Sequence, residues 1–340
     1  MRKIRLGVLC PSEIAFRRFM PALTELSNIF EYVGVAHASA EEWYEKKDIS
    51  DSEKEALNKD FEKARNFVNT YGGKIFDSYE SIVSSREIDA LYIPLPPALH
   101  YKWARRALEE NKHVFLEKPS TDKHSETMEL CNIAKEKKLA LHENYMFIFH
   151  KQLQIIKNLV DNGEIGEQRL IRIAFGFPFR GANDFRYSKK MGGGALLDCG
   201  GYTLKLADYL LGDTCKLCCH KLNYRNGFEV DIYGSGTLMN DNGDIAQVSF
   251  GMDNSYKCEL EIWGSKGCLK TNRILTAPVG FEPEVEITLN NEVKHIKLAS
   301  DDSFRKSIEY FAKCIKYDDI RNKNYQELIK QSKIVEEFKE

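Results

Sequence analysis

Apolar runs of four to eight residues alternate with charged, helix-spaced segments over the first third of the chain. Ile4 to Leu9, Tyr32 to Ala36, Ile88 to Leu95 and His113 to Leu116 are the clearest of them. Runs of this length, separated by helical stretches, predict strands buried on both faces and joined by crossover helices, which makes a doubly wound parallel sheet. The intervening segments fit: Ile14, Phe16, Met20, Leu23 and Leu26 recur at helical spacing, Ser39 to Tyr71 is charged and helix-prone with a break near Asp48–Asp51, and Leu99 to Glu110 reads as a helix. Open α/β sheets hold ligands at the carboxyl ends of their strands. The fourth run ends in such a place, on Glu117-Lys118-Pro119-Ser120. On its own this tripeptide and serine would also suit a solvated ion pair ahead of a helix-breaking proline.

Beyond Gly166 the texture changes. Leu170 to Phe175, Val230 to Leu238, Ile245 to Phe250, Cys258 to Trp263 and Val285 to Leu289 alternate polar and apolar residues, the period of a mostly antiparallel sheet with one face covered. Helices are expected at Gly194 to Leu211, Ser303 to Lys316 and Tyr325 to Phe338. At 340 residues the chain suits two domains. With no linker of biased composition, the seam falls near residue 121, giving a Rossmann-type domain at 1–121 and a substrate and oligomerisation domain at 122–340.

Composition excludes several classes of function. Lys and Arg number 49 against 51 Asp and Glu, so nothing calls for a nucleic acid or an anionic membrane. No window approaches the ~18 apolar residues of a membrane span. The N-terminal run after Met1-Arg2-Lys3 is too short for a secretory h-region. Nine scattered cysteines, an odd number, argue against a full disulfide framework and for a reducing cytoplasm. Cys215-Lys216-Leu217-Cys218-Cys219-His220 lacks the second ligand pair of a zinc site, so no metal is expected.

The first strand–turn–helix is where a dinucleotide fold places its Gly-x-Gly-x-x-Gly fingerprint, with the pyrophosphate on the helix N-terminus. Here those positions hold Cys10, Ser12 and Ala15. All are small, but only alanine is an accepted variant, and only at the third position. Glu13 adds a negative charge beside the expected phosphates, for Arg17 and Arg18 to offset. The second strand ends Ala36-His37-Ala38-Ser39 rather than in a carboxylate, so NADP is favoured slightly over NAD, with His37 or Ser39 meeting the 2′-phosphate.

In the second half, Gly192-Gly193-Gly194 opens the expected helix. On a regular α-helix Leu196, Leu197, Leu204, Leu206 and Leu210 share a broad apolar face, while Asp198, Tyr202, Lys205 and Tyr209 gather opposite. Alone, that polar face is a solvated one. The three glycines argue for close approach of another backbone or a ligand.

Together these residues resemble the Gfo/Idh/MocA oxidoreductases, the family of glucose–fructose oxidoreductase and inositol dehydrogenase. The resemblance rests on Pro94-Leu95-Pro96-Pro97-Ala98-Leu99-His100, Lys112-His113-Val114 leading into Glu117-Lys118-Pro119, Glu143-Asn144-Tyr145-Met146, Phe149-His150, Asp198-x-Gly200-x-Tyr202 and Trp263-Gly264-Ser265-Lys266-Gly267. It implies a Rossmann domain followed by a domain with a large open sheet that commonly builds a homodimer or homotetramer. It also implies hydride transfer between NAD or NADP and a carbinol or carbonyl carbon of a sugar, polyol or sugar nucleotide. By the same resemblance Lys118 is the catalytic lysine and Tyr202 the acid/base residue, with Asp198 orienting substrate hydroxyls or holding Lys118. The cofactor is expected to meet Cys10, Ser12, Glu13, Ile14, His37, Ser39, Pro94, Leu95, Pro96, His100, Glu117 and Lys118, and the substrate Tyr145, His150 and Arg186. Departures from the family pattern cluster on the cofactor side. Two further readings are an NAD-dependent glycosidase of the same family and a non-redox binding protein with a degenerate nucleotide site.

Overall fold

The structure, a computed structural model, describes residues 2–340 and divides into two compact units. The first takes in residues 2–121, Ser125–Asn144 and Ser307–Ile329; the second takes in Asp122–His124, Tyr145–Lys306 and Lys330–Glu340. The sequence reading placed everything after residue 121 in the second domain. The structure returns two later stretches to the first unit, because β6 (Leu141–Glu143) pairs with β5 (His113–Leu116) and His142 on β6 hydrogen-bonds Ser307 and Asn324.

The first unit is a six-stranded parallel sheet in the order β3-β2-β1-β4-β5-β6. Its other strands are β1 (Ile4–Val8), β2 (Phe30–Ala36), β3 (Lys74–Phe76) and β4 (Ala90–Ile93). This is the dinucleotide-fold order, with the reversal between β1 and β4. The strands are apolar on both faces because helices cover both. These helices are α1 (Met20–Thr24), α2 (Ala40–Tyr44), α3 (Asp51–Tyr71), α4 (Tyr79–Val83), α5 (Pro97–Glu109) and α6 (His124–Glu136). A π-helical turn, Ala15–Phe19, runs directly into α1. The break expected near Asp48 separates α2 from α3, and both helices begin with a serine capping box, at Ser39 and Ser50.

The second unit carries an eight-stranded sheet in the order β14-β13-β12-β11-β7-β10-β9-β8, in which only β7 and β10 run parallel. Its strands are β7 (Gln168–Gly176), β8 (Lys216–Tyr224), β9 (Asp231–Met239), β10 (Ile245–Gly251), β11 (Lys257–Gly264), β12 (Gly267–Asn272), β13 (Glu284–Leu289) and β14 (Glu292–Lys297). On β11, Cys258, Leu260 and Ile262 are buried, while Lys257 and Trp263 face out. The covered face packs against α7 (Lys151–Asp161) and α8 (Gly201–Leu211), with Leu204, Leu206 and Ala207 fully buried. The chain closes with α9 (Ser303–Lys316) and α10 (Asp318–Glu337), the latter starting seven residues before the sequence reading had it. Cys218 and Cys219 lie exposed on the edge strand β8, and no metal-binding cluster occurs among the described residues. Nor is any described helix long and apolar enough to cross a membrane.

Candidate active site

In the first unit, the segments singled out from the sequence stand at the carboxyl ends of four parallel strands: Cys10–Ala15 after β1, His37 after β2, Pro94–His100 after β4 and Glu117–Ser120 after β5. The first turn has no glycine, yet it retains what a pyrophosphate uses. Cys10 turns inward and joins the core beside Tyr79, so its side chain does not fill the turn. Ser12 caps the helix, its hydroxyl accepting from the Ala15 N–H at 3.2 Å. The Glu13 and Ile14 amides open the helix and have no intrahelical acceptor, which leaves a positive helix terminus of the kind that holds phosphate. These residues therefore fit a dinucleotide. Exposed Glu13 pairs with Arg17 at 3.1 Å, which offsets its charge.

At the end of β2 the structure supplies something the sequence reading missed. Asp60, on α3, takes a hydrogen bond from the Ala38 backbone and lies close to His37, and burial pushes its carboxyl up. A carboxylate therefore does reach this strand end, from a helix instead of from the strand. The signal was helical spacing: Asp60 lies one turn before Ala64 and two before Phe67, both buried. Ser39, expected to meet a phosphate, caps α2, accepting from the Glu42 N–H at 3.3 Å.

The Glu117-Lys118-Pro119 segment is built by its neighbours. Glu117 points inward, its Oε1 accepting from the Tyr92 hydroxyl and from Asn144 Nδ2, both at 2.8 Å. Burial pushes the Glu117 carboxyl up, while those two hydrogen bonds and the charge of Lys118 pull the other way. It ties the ends of β4, β5 and β6 together and thereby fixes the backbone of half-buried Lys118. The Lys118–Pro119 peptide is cis. Behind it His100, fully buried, sets its two ring nitrogens 2.7 Å from the carbonyls of Pro119 and Leu95.

In the second unit, Gly194 has φ +123°, and a Cβ there would lie 2.4 Å from Asp231 Oδ1. The close approach that the glycines allow is thus to protein, with Asp231 capping the next turn through the Leu196 N–H at 2.7 Å. That turn, Leu196–Gly200, is π-helical before α8 begins. Its extra residue defeats the helical wheel drawn from the sequence, and π turns of this kind recur at functional sites. Tyr202 is buried instead of solvated. Its ring meets Tyr145 edge-on at 5.2 Å, Phe175 edge-on at 5.4 Å and Phe147 at 5.7 Å. Such pairs are each worth about 0.5–1.5 kcal/mol beyond their area, so they hold the phenol in one orientation. Gly201 makes room for this: a Cβ there would stand 2.2 Å from the Tyr145 hydroxyl.

Asp198 accepts from Arg186 Nε at 2.7 Å, and Arg186 Nη1 reaches Asp184 at 3.1 Å. Burial works against the Arg186 charge, but the two carboxylates prevail and hold its guanidinium above its usual range. Arg186, expected as a substrate contact, is thus engaged by two carboxylates of its own unit. His150, 2% exposed, caps α7, its Nδ1 accepting from the Gln152 N–H at 3.2 Å.

A dinucleotide fold followed by a second unit with a large, mostly antiparallel sheet is the architecture of a nicotinamide-dependent oxidoreductase. Comparison with known proteins agrees. Residues 31–145 match the oxidoreductase family with an NAD-binding Rossmann fold, and residues 153–270 match the GFO/IDH/MocA C-terminal domain. The dTDP-3,4-didehydro-2,6-dideoxy-alpha-D-glucose 3-reductase of Actinomadura kijaniata is 33% identical over 312 residues, 92% of this chain and 87% of that one. The Saccharopolyspora spinosa protein of that name is also 33% identical, over 99% of this chain and 97% of its own. The crystal structure of KijD10, a 3-ketoreductase from Actinomadura kijaniata in complex with NADP and TDP-benzene, superposes with a TM-score of 0.89. It is 31% identical, covering 99% of this chain and 97% of that one. The chain belongs to the Gfo/Idh/MocA oxidoreductases. It is an NAD(P)-dependent enzyme moving hydride between the nicotinamide and a carbinol or carbonyl carbon of a sugar-like substrate.

Proposed function

We propose that the protein is an NADPH-dependent reductase of a keto sugar carried on a nucleoside diphosphate, with Lys118 and Tyr202 as its catalytic residues. The observation that carries the reading is the fixed, buried phenol of Tyr202, one helical turn after an Asp198 held by an arginine. When bound, the reduced nicotinamide supplies the hydride to the carbonyl carbon. Tyr202 gives its hydroxyl proton to the carbonyl oxygen and regains one from solvent, so ketone, NADPH and a proton become alcohol and NADP+. A free tyrosine, with a pKa near ~10, parts from its proton reluctantly. The Lys118 ammonium stabilises the negative charge developing on the substrate oxygen. Asp198 receives substrate hydroxyls, and Arg186 holds Asp198 in place. The dTDP-sugar reductases at 33% identity and the NADP-bound 3-ketoreductase structure support the choice of substrate and cofactor. The D-xylose 1-dehydrogenase (NADP(+)) 2 of Haloferax volcanii, 28% identical over 71% of this chain, supports the cofactor alone.

Two further assignments accompany this one. The nine cysteines stand as free thiols, which suits the reducing cytoplasm. The outward face of the eight-stranded sheet, with Trp263 and Tyr233 exposed, suits self-association into a dimer or tetramer, measurable by light scattering. The activity itself is tested by following NADPH consumption with a 3-keto dTDP-sugar, with the free sugar and with xylose. Consumption with the nucleotide sugar alone is the expected result. Turnover of the free sugars at equal or greater efficiency would overturn the nucleotide reading.

A further inference from the structure

The geometry points to a nucleoside-diphosphate subsite on the loop that follows β7, built from Phe179, Arg180, Tyr187 and Phe228; this deepens the sugar-nucleotide reading above and rests on it. The loop leaves the sheet beside the tyrosine already described. The Phe175 ring is 5.4 Å from Tyr202, Phe177 is 6.1 Å from Phe175, and the Arg180 guanidinium lies 4.8 Å over Phe177. A continuous aromatic path thus runs from the proton donor to an exposed cation. Arg180 has no carboxylate partner among the described residues.

Next to that cation is a flat apolar surface. Phe179 packs 4.8 Å from Tyr187 and 6.1 Å from Phe228, and Tyr187 is 5.5 Å from Phe228. The inner ring, Tyr187, is 8% exposed while Phe179 is 44% exposed, so the cluster presents one ring to the outside. It is preorganised: the Tyr187 hydroxyl donates to the Met252 carbonyl at 2.8 Å and accepts from the Arg180 backbone N–H at 3.2 Å.

The charge of this segment is also local. Residues 177–190 hold four cations and one carboxylate, and with Arg186 taken by Asp184 and Asp198 this leaves Arg180, Lys189 and Lys190, in a chain where acids outnumber bases. A nucleoside diphosphate attached to a reacting sugar needs cations a few ring-widths from the reacting carbon and a stacking surface beyond them. Arg180 supplies the first and Phe179 the second. A free sugar would use neither.

The test is calorimetric titration of thymidine diphosphate into the full-length protein loaded with NADP, for the wild type, Phe179→Ala and Arg180→Ala. Cofactor affinity and thermal midpoint serve as folding controls. The wild type is expected to bind, and each variant to bind roughly ten-fold or more weakly. The Arg180→Ala loss should vanish when thymidine replaces the diphosphate. Tight binding by the wild type and both variants alike would overturn the subsite while leaving the sugar-nucleotide reading intact. Cofactor binding without any thymidine diphosphate binding by the wild type would overturn the sugar-nucleotide reading, and the subsite with it.

Discussion

Two turns in this protein, one in each unit, lead through a π-helical segment into a helix, and the family pattern has fared differently in them. In the first unit the turn from Cys10 to Ala15 lacks the fingerprint glycines. In the second, the turn from Gly192 to Tyr202 keeps its glycines, its aspartate and its tyrosine. The physical demands explain the contrast. A phosphate is held by backbone N–H groups at a helix terminus, and side chains there are tolerated if they turn away, as Cys10 does into the core. The proposed proton donor, Tyr202, is held by the rings around it. Gly201 cannot gain even a methyl group without striking the Tyr145 hydroxyl.

The largest effects should come from the side chains proposed to perform chemistry. Tyr202→Phe and Lys118→Ala are each expected to lower turnover by about 10²–10⁴-fold, with NADPH affinity measured by fluorescence nearly unchanged. Wild-type turnover in either would break the contrast. Arg186→Gln comes next, because it leaves Asp198 and Asp184 without the cation that both face. Loss of a charged hydrogen-bonding partner of this kind should lower kcat by roughly ten- to a hundred-fold, with partial rescue by Arg186→Lys and no change in cofactor affinity.

A stability measurement separates the units by pH. Burial, with help from the Arg321 charge, holds the His113 imidazole down at about 4, and its Nδ1 accepts from the Ala140 N–H at 2.9 Å. Its unfolded value is near ~6.5, so the unfolded chain takes up the proton first as the solution is acidified. The stability contributed by neutral His113 is therefore complete above about pH 6.5 and is lost as the pH falls toward about 4. Thermal midpoints measured across that window should fall less steeply in His113→Asn, whose amide oxygen can still accept from Ala140. The smallest effect is expected at the end of β2. Asp60→Asn should raise the preference for NADPH over NADH by only a few-fold, read from the ratio of the two dissociation constants.

Much of this architecture was legible in the chain. The apolar runs after which Cys10, His37, Pro94 and Glu117 stand were visible as buried parallel strands, and the alternation of Cys258 to Trp263 marked a sheet with one covered face. What escaped notice depended on contacts between residues distant in sequence or on departures from the regular α-helix. The π turn at Leu196–Gly200 placed Tyr202 among Tyr145, Phe147 and Phe175, which no 3.6-residue wheel would show. The Arg186 pairing with Asp198 and the approach of Asp60 to the end of β2 each join segments that the sequence keeps apart. Strand β8 was missed because the exposed cysteines at its edge read as a broken metal motif.

The central claim is that a turn without glycines still serves a nicotinamide-dependent reductase, and a fluorescence titration of the purified protein with NADPH tests it most directly. Saturable binding in the micromolar range, tighter for NADPH than for NADH, is the predicted result. Absence of binding by NADPH, NADP+, NADH and NAD+ alike, in protein that unfolds cooperatively on heating, would contradict it.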